Sequence, residues 1–262
     1  MFIMHPWIEI FGEKIPTYLL WISLTYCFAL IYLYKRGQNK GYSKNIILDS
    51  ALIVMLAGFV GARLFHVFYE EASYYLEDPL RIFYIWQGGF VYFGGALTAY
   101  LSLRIWARNK PIDFDQLLDI YAPVIVLGYG IGRFACLFAG CCHGAACDLP
   151  WAIVYPPGVE APTGIPLHPT PIYASLWAFA NYALLLFLEK TYSPRTNRKD
   201  FLPEGVLFYI AVVTHSFGRL LMEHFRGDHR GADVFGFSIS SIISIALIFL
   251  ATRLIKNKTE SK

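Results

Sequence analysis

Charge is what this chain has least of. Asp, Glu, Lys and Arg make up 16% of its 262 residues, well below the roughly 25% of an average soluble domain. That scarcity excludes an ordinary water-soluble globule. No hydrophilic stretch is long enough to fold alone, so residues 1–262 read as a single integral membrane domain. The first residues lack a basic n-region and a small-residue cleavage site, so the first apolar run reads as a retained membrane helix. The net charge is only +3, and its basic residues are spread over membrane flanks. This gives a nucleic-acid partner no footing. No internal repeat and no pair of inverted hydropathy repeats is visible, which disfavours an inverted-repeat carrier.

What the chain has instead is apolar length. Seven runs, at about 16–34, 46–68, 89–105, 117–139, 171–188, 205–221 and 234–254, approach the ~20 residues that cross a hydrocarbon core as a helix. The predicted fold is all-α, a polytopic membrane protein with seven transmembrane helices. Lys35, Arg36, Lys40 and Lys44 fill the first loop, and Arg108 and Lys110 the third, with Arg104 at its edge. Lys190, Arg195, Arg198 and Lys199 fill the fifth, a polar inner loop, and Arg253, Lys256, Lys258 and Lys262 lie in the tail. The alternate segments are poor in Lys/Arg or acidic, as at Glu70, Glu71, Glu77 and Asp78. The bias puts the N-terminus outside and the C-terminus in the cytoplasm.

The same bias leaves six basic residues on the outer side without a topological reason: Arg63, Arg81, Arg133, Arg219, Arg226 and Arg230. None is lysine, and arginine is the residue whose planar fork grips phosphate or carboxylate. Ionisable residues within a membrane commonly mark function. Ion pairing between helix neighbours is the other reading, since Glu223 lies four residues after Arg219 and three before Arg226.

Glycine marks close approach. Gly128, Gly130 and Gly132 lack the preceding strand of a dinucleotide loop and read, like Gly58 and Gly61, as a small-residue packing surface. Gly88-Gly89 and Gly94-Gly95 bracket aromatics, which suits either a broken helix lining a cavity or close helix packing. Of five cysteines, Cys27 reads as a buried apolar side chain. The other four form Cys136-x4-Cys141-Cys142-His143-x3-Cys147 at an outer face. Three readings stay open: a disulfide, packed free thiols, or a metal site of Cys136, Cys141, Cys142 and His143. His143 and His168 are candidate general bases. His215 lies one turn before Arg219.

The order of motifs resembles the bacterial prolipoprotein diacylglyceryl transferases. The matching residues are Tyr18, Gly61-Ala-Arg63, Trp86-Gln-Gly-Gly89 with Gly94-Gly95, Asp119 to Pro123, Gly132-Arg133, Gly144, His168-Pro169 with Tyr173, and Arg219-x3-Glu223-x2-Arg226. The resemblance implies a seven-helix enzyme of the bacterial cytoplasmic (inner) membrane. It would move the diacylglyceryl group of phosphatidylglycerol onto the lipobox cysteine thiol of a lipoprotein precursor, with no cofactor. By this likeness Arg133 holds the lipid phosphate, Arg219 is the second essential arginine, and Gly132, Tyr18, Arg63, Tyr92, Gly144, Glu223 and Arg226 complete the lipid site. His143 or His168 would deprotonate the thiol, or no protein base would be needed if the electropositive site lowers the thiol pKa enough. The chain departs from the family pattern at Phe93, where a histidine is common, and at Cys136, at Ala139-Gly140-Cys141 and at Ala174. Two alternatives remain: an enzyme on the same scaffold with a different acceptor or a cysteine-based step, and a non-catalytic lipid or anion carrier.

Overall fold

A computed structural model describes residues 6–10, 12–85, 88–192, 201–228, 233–234 and 237–260. The expectations for Trp86, Gln87, Arg230 and the 193–199 loop lie outside them. The described chain is mostly helical, and six of its helices are long and apolar enough to cross a membrane. It divides into two compact units, Tyr34–Leu117 and the remainder, Met1–Leu33 with Leu118–Lys262.

Within Tyr34–Leu117, α2 (Lys44–Phe65) begins where the Ser43 hydroxyl accepts from the Ile46 amide, and it runs on into a π-helical turn, His66–Glu70. Short helix α3 (Ala72–Glu77) and a 3-10 turn (Pro79–Phe83) come next. Gly88 and Gly89 then take φ of +82° and +80°. Only glycine adopts such angles without strain, so the chain passes extended into α4 (Tyr92–Ala107). Helix α4 has 16 residues, about 24 Å at 1.5 Å per residue, and is the short realisation of the predicted third span.

The two glycine pairs divide the two readings between them. Gly88-Gly89 breaks the helix, whereas Gly94-Gly95 lies buried in α4 and packs on α2. The Thr98 hydroxyl donates to the Ala57 carbonyl of α2 at 2.9 Å, and a Cβ on Gly61 would lie 1.8 Å from that hydroxyl. Arg63, from the same helix, is buried and donates to the carbonyls of Arg81, Ile82, Gly88 and Gly89. It ties the outer segment to α2.

The second unit holds α1 (Thr17–Asn39) to Leu33, α5 (Phe114–Ala139) from Leu118, α6 (Thr170–Thr191), α7 (Val206–Glu223) and α8 (Ile239–Glu260). Ala122, Val126, Ala178, Leu185, Leu207 and Ala211 make its core. Polar stitches tie the helices: Ser175 donates to the Gly130 carbonyl, Trp177 to the Thr214 carbonyl, and Trp21 to the Ile131 carbonyl. The outer faces are equally apolar, with Leu24 and Ile31 of α1 and Phe249 and Leu250 of α8 exposed. Helices apolar on both sides are what lipid contact requires. Cys27 is exposed on α1 rather than buried, on the apolar face that it shares with Leu24 and Ile31. Lipid-side exposure costs a thiol little.

Three small hairpins close the helix ends: β1 (Trp7–Ile10) with β2 (Glu13–Pro16), β3 (Ile153–Val154) with β4 (Pro166–Leu167), and β5 (Asp233–Val234) with β6 (Phe237–Ser238). The last of these corrects the predicted start of the final span at 234. The Ser238 hydroxyl accepts from the Ser241 amide and caps α8 at Ile239. Asp119 of α5 accepts from the Gly205 and Phe208 amides at 2.8 and 2.9 Å, holding the N-terminus of α7 where a carboxylate is favoured.

Replacing Gly61 by alanine is expected to lower stability by about 1–3 kcal/mol, the usual range for overpacking. Combining it with Thr98→Ala should recover part of the loss. Thermal unfolding of the detergent-solubilised protein measures both.

Candidate active site

Arg133 sits on the last two turns of α5, and its neighbours are soft. Its guanidinium lies 4.5 Å over the ring of Tyr129, one turn earlier. It donates to Cys142 Sγ at 3.5 Å and approaches Cys136 Sγ at 4.0 Å. Among the described residues, no carboxylate comes within ion-pair distance of it.

The other described outer arginines are all compensated. Arg219 pairs with Glu223 at 2.5 Å and donates to Ser240 of α8 at 2.7 Å. Arg226 forms a two-pronged pair with Asp228, its Nε 2.8 Å from Oδ1. Glu223 thus pairs with Arg219, and the second pairing expected from its spacing goes to Asp228 instead. Arg81 lies near Glu77 and Asp78 and stacks on Tyr74. Arg63 is satisfied by carbonyls, so its donors are occupied in holding a loop. A guanidinium removed from water without a counter-charge is costly. Arg133 is therefore the position at which an added anion gains most.

The thiols come next to it because the chain turns sharply after α5. Gly140 has φ +73°, and Cys142 has φ +60°, the only positive value at a non-glycine residue among the described residues. An L-residue there is strained unless held, and the Thr170 hydroxyl holds it by donating to the Cys142 carbonyl at 2.5 Å. The Sγ atoms of Cys136, Cys141 and Cys142 all lie within 4.8 Å of one another. All four clustered cysteines are free thiols. Cys147 and His143 stand outside the trio, so three of the four expected metal ligands come together and His143 does not. The thiols of Cys136 and Cys141 bonding to it, and after them the charges of Arg133 and Arg226, hold the Cys142 thiol well below its ordinary range. The same mutual bonding pushes Cys141 up.

Beyond the thiols, a three-way backbone junction locks the chain. The Gly144 amide donates to the His168 carbonyl, the Ala145 amide to the Phe225 carbonyl, and the Gly227 amide to the His143 carbonyl. A Cβ at Gly144 would lie 2.4 Å from the His168 Cβ and 2.6 Å from its carbonyl oxygen. Gly144 is thus a packing glycine at the junction. His143 Nδ1 lies 3.1 Å from the Gly144 carbonyl. A carbonyl only accepts, so that bond puts the proton of the neutral ring on Nδ1 and leaves Nε2 as the acceptor. His168 is braced differently: its Nδ1 meets the Tyr173 hydroxyl at 3.3 Å, and that hydroxyl accepts from Trp151 at 2.7 Å. His168, Tyr173, Trp151, Leu176 and Phe225 line an open, largely apolar groove.

Tyr18, in the first turn of α1, lies close enough to Arg133 and the three thiols to feel their charges. Gly132 faces Ile22 at ordinary contact distance, with room for a side chain. Tyr92 belongs to the other unit, where it opens α4 half-exposed against Phe93. Tyr129, Ser240 and Asp228 are not among the sequence candidates. The helical i, i+4 spacing of Tyr129 to Arg133 is a readable signal, and Asp228 lies two residues from Arg226; nothing in the local pattern points to Ser240.

Helices apolar inside and out, carrying an arginine set against thiols and an aromatic ring rather than, among the described residues, a carboxylate, describe a polytopic membrane protein suited to hold an anionic group. Residues 6–256 match the sequence model of the family described as prolipoprotein diacylglyceryl transferase, and the chain belongs to that family of transferases. Its relatives include the phosphatidylglycerol–prolipoprotein diacylglyceryl transferase of Clostridium tetani, 32% identical over 92% of each chain. A second, the transferase 2 of that name from Clostridium perfringens, is 31% identical over 92% of this chain and 90% of the relative. The enzyme of that name from Geobacter sulfurreducens is 29% identical over 88% and 87%.

Truncating Glu223 to alanine strands the Arg219 charge, which is 9% exposed. The expected loss is about 3–5 kcal/mol, read as a drop in the thermal midpoint. Glu223→Gln, which keeps an acceptor, should lose less.

Proposed function

We propose that this protein transfers the diacylglyceryl group of phosphatidylglycerol to the lipobox cysteine thiol of a prolipoprotein, as the names of its relatives state for them. The observation that carries this reading is Arg133, half-buried and, among the described residues, without a carboxylate partner, in a chain of this family. The donor is a phosphodiester with one negative charge. As its glyceryl carbon–oxygen bond breaks, charge collects on the departing glycerol phosphate, and a fixed guanidinium stabilises that charge more than the ground state. Arg133 takes the phosphate. Arg219, neutralised by Glu223 and held by Ser240, fixes the end of α7. The acceptor sulfur attacks the glyceryl carbon as the carbon–oxygen bond breaks, and His143, with Nε2 free to accept, relays the thiol proton to water. The groove beside His168 offers apolar surface for a lipid chain.

The reading includes a single integral domain with seven spans in the bacterial cytoplasmic membrane, N-terminus outside and C-terminus in the cytoplasm. Helix α4 is the seventh span, lengthened by the extended residues before it, and the Lys/Arg bias of the loops supports the orientation. The arginine, the thiols and the histidines all lie at one end of their helices, which this orientation places at the outer leaflet.

Labelled phosphatidylglycerol and a lipobox peptide supplied to the purified protein give the direct test. Arg133→Ala should lower transfer by about 10²–10³-fold, the range for loss of one preorganised donor. Arg133→Lys, which keeps the charge but loses the fork, should recover only part of that. His143→Ala should lower transfer by about 10²-fold, and His168→Ala by much less. Transfer left intact by Arg133→Ala would remove the basis of the assignment.

A further inference from the structure

We propose that Cys136, Cys141 and Cys142 form a three-thiolate zinc site whose open fourth position takes the acceptor thiol of the transfer reaction. The inference rests on the function proposed above and deepens it. Zinc binds thiolate sulfur at about 2.3 Å, and a tetrahedral set of such ligands places its sulfurs about 3.8 Å apart. The three Sγ atoms already lie within 4.8 Å of one another, so small side-chain rotations close the site. Among the described residues no fourth His, Cys, Asp or Glu joins them. Three protein ligands with one open position is the arrangement of catalytic rather than structural zinc.

Charge selects the ion. Three thiolates with a divalent cation leave one negative charge, and Arg133, 3.5 Å from Cys142 Sγ, supplies one positive charge. The strained backbone at Cys142 is what turns its sulfur toward the other two, and Thr170 maintains it. Nearby, Tyr155 is 1% exposed and its hydroxyl has no hydrogen-bond partner among the described residues.

The site supplies what Phe93 cannot. A metal-bound thiol is deprotonated outright. The acceptor R–SH binds zinc as R–S⁻ and releases its proton to water. Its sulfur then attacks the glyceryl carbon, and a carbon–sulfur bond forms. The carbon–oxygen bond breaks, and its electron pair leaves on glycerol phosphate, held by Arg133. The product thioether is neutral and a poor ligand, so it vacates the position. Nothing is oxidised or reduced.

The test uses the full-length protein purified in detergent. Wild type should carry about one zinc per chain. Cobalt substitution should give thiolate-to-metal charge-transfer absorption, and this should shift when a lipobox peptide is added but not when its cysteine is replaced by serine. Cys142→Ser and Cys141→Ser should lose the metal and lower transfer on the order of 100-fold. Cys147→Ser, outside the trio, should keep both. Chelation of the wild type should give the same loss, restored by zinc, which keeps the test independent of whether a variant folds. Transfer at full rate by metal-free protein would overturn the zinc site and leave the proposed function standing. A disulfide within the trio in active protein would do the same. Stoichiometric zinc with a peptide-sensitive cobalt spectrum but no transfer would overturn the role in thiol activation and the proposed reaction, leaving a metal site.

Discussion

An arginine that finds no carboxylate among the described residues sets the terms for this structure. Arg133 is half-buried at the end of α5, against an aromatic face and two sulfurs. Aromatic and thiol contacts soften its isolation without cancelling its charge. The surrounding architecture is the means of keeping that charge in place. Ser175 ties α6 to the α5 backbone at Gly130, and Trp21 ties α1 to it at Ile131. Both anchors fall within one turn of Arg133. They fix the helix end without using up the guanidinium.

The neighbouring cations show the opposite solution. Arg219 and Arg226 each hold a carboxylate, and each sits where a second element needs locating. Arg219 reaches Ser240 at the start of α8. The backbone of Arg226 bridges Gly144 in the junction that presents His143 and His168. Asp119 fixes the start of α7 and so sets the register in which Arg219 emerges at the far end. Positioning and binding are thus divided among side chains of one type.

How much of this is legible in the sequence depends on the range of the interaction. Membrane helices come from runs of local composition, and six of the seven predicted runs appear as helices long enough to span. The third, α4, is shortened because two left-handed glycines, Gly88 and Gly89, keep the residues before Tyr92 out of the helix. The final helix starts later than its apolar run because Ser238 caps it, a signal that hydropathy does not carry. The candidate arginines are readable because topology gives them no reason to exist. Which of them is free is not readable, because it depends on partners distant in sequence: Arg63 finds its carbonyls 18 to 26 residues away. The trio of thiols is intermediate. Its residues are close in sequence, but only the left-handed turn at Cys142 selects them over Cys147 and His143.

Arg63 and Arg133 then give a physical criterion for telling a site arginine from a scaffold arginine. Arg63 is buried and Arg133 partly so, and among the described residues neither has a carboxylate, so charge counting alone cannot separate them. Arg63 donates along its fork to four main-chain oxygens of residues 81–89. Turning the fork to an anion would break those bonds, at about 1–3 kcal/mol for each buried group left unsatisfied. Arg133 bonds to side-chain sulfur rather than to main-chain oxygen, so an anion can share its fork without orphaning a carbonyl. An incoming phosphate therefore gains the full charge-assisted bond at Arg133 and only a difference of bonds at Arg63. The softness of the sulfur neighbours is what keeps Arg133 both stable enough to be buried and available enough to bind.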